Sequence, residues 1–306
     1  MPSITDTLQA HFSSANSPRP ILTSLNGDSS WLISLPRPPT DRARKTYFHI
    51  VSDPWLSGPA NLHHPWFLQI TTPAPPAISS GSAVSSVIAE IETVANPSSK
   101  SHESSPDAIF VNFHYLDHLH EATLRTFDPA IPVFAAPEAA AIAKTWNHFT
   151  NITLTQDLLP GKNSADLHPD GLPGWLNVFR LPGHHELNFA TAIVYSALGE
   201  SEAILHSPHG IRTDQPSLGV FTKEEIKVLA ILHALKDGYA FGMATTLGIK
   251  GGKALEEVTK PKYWVKSHDA PLRYRGIIAW VGWISDVFQE EDGVVEVGNG
   301  ECFVLE

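Results

Sequence analysis

The stretch VNFHYLDHLHEATL, residues 111–124, sets His114, Asp117, His118 and His120 within seven positions, directly behind an apolar run. It reads as a metal site, as the remnant of one, or as a polar loop. Its company decides, because residues far apart in the chain share a cleft when several strands end at one edge of a sheet.

Working outward, AIFVNF is a short buried strand, HEATLRTF a short helix, PVFAA a strand, and PEAAAIAKTW a helix with proline in its first turn. Strand, loop, helix, strand, helix is an α/β order. Upstream, after a polar leader, ILTSLNGDSSWLISLP and TYFHIVSDPWLSGP are β-branched and aromatic runs broken by turn residues, so the chain opens as β. A single domain over 1–306 is expected, with a Pro/Ser-rich, partly mobile insertion at about 72–106 that holds one helix from Val84 to Val94. Downstream, WLNVFRLPG, NFATAIVYSA and EAILHSPHGI read as strands. Thr222-Lys223-Glu224-Glu225 has capping-box form ahead of Ile226, Leu229, Ala230, Leu232 and Ala234, which predicts a helix from Lys223 to Lys236. A second helix is expected over Gly252–Val258, a strand in KPKYWVKSHDAP, a helix near Ile277–Phe288, and closing strands in GVVEVG and ECFVLE.

The charge balance narrows the function classes. The 306 residues carry 32 acidic and 21 basic side chains, a net charge of -11, which disfavours nucleic acid and anionic membrane as partners. Cys302 is the only cysteine, so a cysteine-based zinc or redox motif is excluded. With no basic, then apolar leader and no long apolar stretch, a cytoplasmic protein is expected. Asp53, the run His114 to His120, the pair His184 and His185, His209 and His268 each follow, or nearly follow, an expected strand. Neutral imidazoles and carboxylates gathered in this way suit zinc or iron.

SDPWL, LDHLHEATL, SPHG and KPKYWVKSHD, in this order over roughly residues 20 to 270, resemble the metallo-β-lactamase superfamily, in particular its lactonase-like or phosphodiesterase-like branch and its fungal-type members. The resemblance implies an α/β fold, an αββα sandwich of two facing mixed β-sheets with helices outside. The family's strand-end loop is H-x-H-x-D-H. Aligned on Asp117-His118, its two leading histidines fall on Phe113 and Tyr115, so the motif is degenerate. His114 lies between them, and a one-residue shift along extended chain turns a side chain to the other face.

Carried over, the first metal position keeps at most His184 or His185, whereas the second keeps Asp117, His118 and His268. His209 stands at the place of the bridging aspartate. The resemblance therefore implies one ion, zinc with iron or manganese as alternatives, held by Asp117, His118, His209 and His268, with Asp53 bracing a ligand histidine from behind. It implies a metal-dependent hydrolase that cleaves a small ester, lactone, amide or phosphodiester through one activated water. Asp117 would orient or deprotonate that water, and Tyr115 would hydrogen-bond a substrate oxygen. Phe113 makes half the cleft apolar, which suits an apolar or aromatic small molecule. The alternatives are a catalytically degenerate binding module, or a non-hydrolytic enzyme of specialised metabolism. Plainer readings stand beside these. His184 and His185 can cap a strand end, His209 can serve as a turn residue, and His63 and His64 can lie on the surface.

Overall fold

The computed structural model describes residues 4–13, 17–42, 44–98, 103–196, 199–223 and 226–306. Its strands are β1 (Ile21–Ser24), β2 (Trp31–Pro36), β3 (Tyr47–Ser52), β4 (Ala60–Leu62), β5 (Leu68–Thr71), β6 (Ala108–Val111), β7 (Val133–Ala135), β8 (Ile152–Leu154), β9 (Leu176–His185) and β10 (Asn188–Tyr195). They continue as β11 (Glu202–Ser207), β12 (Lys227–His233), β13 (Asp237–Ala240), β14 (Met243–Leu247), β15 (Tyr263–Lys266), β16 (Arg273–Arg275), β17 (Ser285–Val287) and β18 (Cys302–Val304). The helices are α1 (Ile4–Ser13), α2 (Gly81–Ala95), α3 (Glu121–Leu124), α4 (Pro137–Thr145), α5 (Val220–Lys223), α6 (Gly248–Thr259) and α7 (Ile277–Val281). The chain divides into two compact units. One is Met1–Ser57, Pro75–Thr153 and Val297–Glu306, and the other is Gly58–Ala74 and Leu154–Glu296.

In the first unit a seven-stranded sheet runs β18-β1-β2-β3-β6-β7-β8. Its β18, β1, β2 and β3 pair antiparallel, whereas β3, β6 and β7 pair parallel. The runs WLISLP, YFHIVS and AIFV are buried at every position, because a sheet covered on both faces needs apolar side chains throughout rather than in alternation. Leu8 of α1, Val84, Ile88 and Ile91 of α2 and Ala139 and Ala143 of α4 share one core with Val51, Ile109 and Val133 of the sheet. The expected leader is thus a helix, α1, whose Leu8 is fully buried. The helix expected inside the 72–106 segment is α2, capped by the Ser80 hydroxyl accepting from Ala83 N at 3.2 Å. Glu92 of α2 is tied to β3 and the residue before it, its carboxylate accepting from Thr46 N (2.7 Å), Tyr47 N (2.9 Å) and His49 Nε2 (3.0 Å).

In the second unit a five-stranded sheet runs β15-β12-β11-β10-β9. The strands β11, β12 and β15 are parallel to one another, and β9, β10 and β11 pair antiparallel. Phe179, Ala192, Leu205 and Ile231 of the sheet share a core with Leu255 of α6 and with Trp264. Two three-stranded sheets, β14-β13-β17 and β16-β5-β4, belong to the same unit.

Three expectations fail. The helix predicted from Lys223 to Lys236 is the short α5 followed by β12, with Glu224 and Glu225 of its capping box outside the described residues. The run KVLAILH holds a helical period only because nearly every position is apolar, which equally marks a strand buried between two parallel neighbours. The helix predicted near Ile277–Phe288 stops at Val281, where Gly282 caps it and the chain turns into β17. GVVEVG makes only an isolated bridge, Val265 with Val295. In each sheet the parallel strands end at one edge: β3, β6 and β7 in the first unit, and β11, β12 and β15 in the second.

A candidate metal centre built at strand ends

Asp53 follows β3 directly, fully buried and with a left-handed backbone, φ 46°. Its backbone N donates to Phe110 O of the neighbouring β6 at 2.9 Å, and its carbonyl accepts from the Ser30 hydroxyl at 2.7 Å. So fixed, its carboxylate Oδ1 accepts from Asn112 N (2.7 Å) and Oδ2 from Asn112 Nδ2 (3.2 Å). Oδ2 also accepts from His118 Nδ1 at 3.0 Å. That bond puts the imidazole proton on Nδ1 and leaves the Nε2 lone pair as the metal-competent position. Asp117 brings a carboxylate oxygen to 3.9 Å from this same Nε2. Burial works against a charged His118, yet Asp117 and Asp53 outweigh it and push the imidazole up to about 9. Carboxylates that favour an imidazolium also favour a cation bound at its nitrogen.

The rest of the 111–124 stretch divides into neighbours of this half-site and residues with other work. The Phe113 ring is buried 5.0 Å from the His118 ring, so an apolar wall stands where the family loop has its first histidine. Tyr115 is partly exposed and stacks on His114 at 4.3 Å, and its carbonyl accepts from His118 N at 3.0 Å. His120 caps α3, its Nδ1 lying 2.9 Å from Thr123 Oγ1 and accepting from Thr123 N at 3.3 Å.

In the second unit His209 follows β11 by two residues and His268 follows β15 by two. Both are buried, and their rings meet edge-on with centroids 4.7 Å apart. His209 is held by its backbone, whose carbonyl accepts from Asn188 Nδ2 (2.9 Å) and Leu247 N (3.1 Å), and by Thr246 Oγ1, 3.2 Å from Nδ1. Gly210 makes the turn with φ 80°, and a Cβ there would lie 2.9 Å from both His233 Nε2 and Leu247 Cβ. His268 also has a left-handed backbone, φ 62°. The next residue, Asp269, anchors that turn by accepting from Leu235 N and Lys236 N, both at 2.7 Å.

His118 in the first unit, and His209 and His268 in the second, are each buried and each of a type that can ligate a metal. His184 and His185 are exposed at the end of β9, and burial together with the Arg212 guanidinium holds His184 below its ordinary range. His63 and His64 are exposed. Sequence reasoning missed His233, which lay inside the mispredicted helix. It is fully buried at the end of β12, its Nδ1 donating to Ala234 O at 2.7 Å, and burial pushes it down to about 4. Its signal was available, since it too is a histidine ending an apolar run.

The donor set fits a divalent ion. His118 is oriented by a carboxylate and His209 by a hydroxyl, the arrangement that leaves the opposite nitrogens for a metal. Three neutral imidazoles are a zinc-type set. No helix among the described residues is long and apolar enough to cross a membrane.

No protein-family model and no curated protein matches the chain. Solved structures do. The isothiocyanate hydrolase from Delia radicum gut bacteria has a TM-score of 0.55 at 15% identity, over 93% of this chain and 99% of that one. A possible metal-dependent hydrolase from Veillonella parvula has a TM-score of 0.55 at 12% identity, over 94% of this chain and 100% of that one. The metallo-β-lactamase fold protein YhfI from Bacillus subtilis has a TM-score of 0.46 at 8% identity, over 93% of this chain and 99% of that one. What the two stronger likenesses show is the fold: the chain has the same kind of mixed α/β architecture as those two structures, with its own two mixed sheets and its histidines at strand ends.

Proposed function

We propose that the chain is a metal-dependent hydrolase that holds one divalent ion, zinc by its donor chemistry, through His118, His209 and His268. What supports the reading is a buried histidine in each unit engaged at Nδ1, His118 by Asp53 and His209 by Thr246. When bound, such an ion supplies Lewis acidity, polarising a substrate oxygen and making water a nucleophile near neutral pH. The chain's own residues supply the rest. Asp117, 3.9 Å from His118 Nε2, is the base that orients or deprotonates the attacking water. Tyr115 hydrogen-bonds the substrate oxygen, and Phe113 keeps water from the half of the cleft where the family loop has its leading histidines. A small, apolar or aromatic ester, lactone, amide or phosphodiester suits that wall, and the net charge of -11 disfavours a nucleic acid. The acidic composition and single cysteine fit work in the cytoplasm.

A second reading has one observation behind it. Phe113 is buried against the His118 ring, and an apolar side chain there suits a binding module or a non-hydrolytic reaction as well. Metal analysis of the purified protein, with a subsequent screen of esters, lactones, phosphodiesters and isothiocyanates, separates the two. The hydrolase reading expects about one equivalent of bound metal, lost in His118→Ala and His268→Ala, with turnover that tracks the metal. No metal after supplementation overturns it, and metal without turnover favours the second reading.

A further inference from the structure

Part of the second unit exposes large apolar side chains far beyond ordinary surface composition. Trp280 and Trp283, at the end of α7 and just after it, are 78% and 80% exposed, and Trp66, Phe241, Met243 and Phe288 are each more than half exposed. Backbone contacts make these one surface. Phe241 N donates to Gly282 O at 2.6 Å, and a Cβ on Gly282 would lie 3.0 Å from the Phe241 ring. Ile277 N donates to Trp66 O at 2.9 Å, and β13 pairs with β17 through Tyr239 and Ser285.

With about 150–250 Å² per aromatic side chain, the exposed parts present on the order of 1,000 Å² of apolar surface. The largest patch on a typical monomer is about 300–600 Å². A stable interface buries roughly 800 Å² on each partner, so the patch is large enough to hold a dimer by itself. Its flanks carry both charge signs. Exposed Arg273 and Arg275 lie on β16 just before α7, and exposed Glu290 and Asp292 come after Phe288. In a two-fold interface each copy presents the same patch, so the patch must complement itself, and flanks of opposite sign allow this. The net charge of -11 weighs against an anionic bilayer as the occupant.

We infer that this surface, formed by α7, β17 and the β13–β14 hairpin, is a homodimer interface occupied by a second copy of the chain. Sedimentation of the full chain from roughly 1 to 50 μM tests it, because a dimer population rises with protomer concentration. Twice the chain mass is expected for the wild type and the single mass for Trp280→Glu/Trp283→Glu, whose exposed positions leave the thermal melt little changed. Arg273→Glu/Arg275→Glu and Glu290→Lys/Asp292→Lys should each be monomeric alone and should pair when mixed. A monomeric wild type across the range overturns the inference, as does a dimer that survives the tryptophan substitutions. So does a monomer that floats with phosphatidylcholine or phosphatidylserine vesicles through the same tryptophans, which would make the patch a membrane surface.

Discussion

Asp53→Asn removes a single charge from the middle of the first half-site, where the surrounding hydrogen bonds leave the new amide no way to satisfy every partner. The carboxylate faces three donors, Asn112 N, Asn112 Nδ2 and His118 Nδ1, at 2.7, 3.2 and 3.0 Å. An asparagine amide has one acceptor oxygen. Turned toward Asn112 N, it sets its NH₂ against His118 and Asn112 Nδ2. Turned toward His118, it sets the NH₂ against the Asn112 backbone N–H. The backbone amide cannot move its proton, whereas the imidazole can, so His118 changes tautomer and places hydrogen on Nε2, the nitrogen offered to metal. Substitutions of this kind weaken metal binding about 10- to 100-fold, or roughly 1.4 to 2.8 kcal/mol. Folding should suffer less, by about 1 kcal/mol, because the bond to Asn112 N survives and asparagine tolerates the left-handed backbone. Competition with a chromophoric chelator measures the affinity, and a thermal melt checks the fold. A folded variant that binds zinc within roughly threefold of wild type would refute the assignment of Asp53 as the group that orients a ligand, because that is less than the smallest expected loss.

Two further outcomes probe the second unit. His233 sits at about 4 when folded against 6.5 as a free side chain, so its contribution is complete above about pH 6.5 and is lost as pH falls through that window. Near pH 5 the loss is roughly 2 kcal/mol, and urea unfolding of His233→Gln should show a stability–pH slope shallower by that amount; an unchanged slope means the imidazole is not kept neutral. Gly252→Ala would place a Cβ 2.1 Å from the Trp264 ring, so the gain in helix propensity of about 1 kcal/mol is outweighed and a net loss of about 2 kcal/mol is expected in urea. A stabilised variant would show that α6 does not pack closely against Trp264 at Gly252.

Much of the frame was legible because local signals and tertiary context agreed. WLISLP, YFHIVS and AIFV are apolar runs bounded by turn residues, and they are β2, β3 and β6. Asp53, His209 and His268 could be singled out because each follows, or nearly follows, an expected strand, and the structure buries all three. IKVLAILHA misled because a nearly continuous apolar run satisfies a period of 3.6 as well as a period of 2, and only its neighbours β11 and β15 decide between them. The same error hid His233. The two small sheets went unread because β4, β16 and β17 are three residues each, too short to show a period. No pattern in the sequence distinguishes the exposed Trp280 and Trp283 from core tryptophans, since exposure is a property of what the fold leaves uncovered.

The left-handed backbones of Asp53 and His268 oppose two demands on the chain. A non-glycine residue in that region costs about 1 to 2 kcal/mol, which glycine would relieve at once. Glycine would ease the backbone at both strand ends, yet at position 53 it would also leave Asn112 N and His118 Nδ1 without the carboxylate that accepts from them. Under the proposed metal centre, the strain at these two positions is stability given up to place one ligand and the group that orients another.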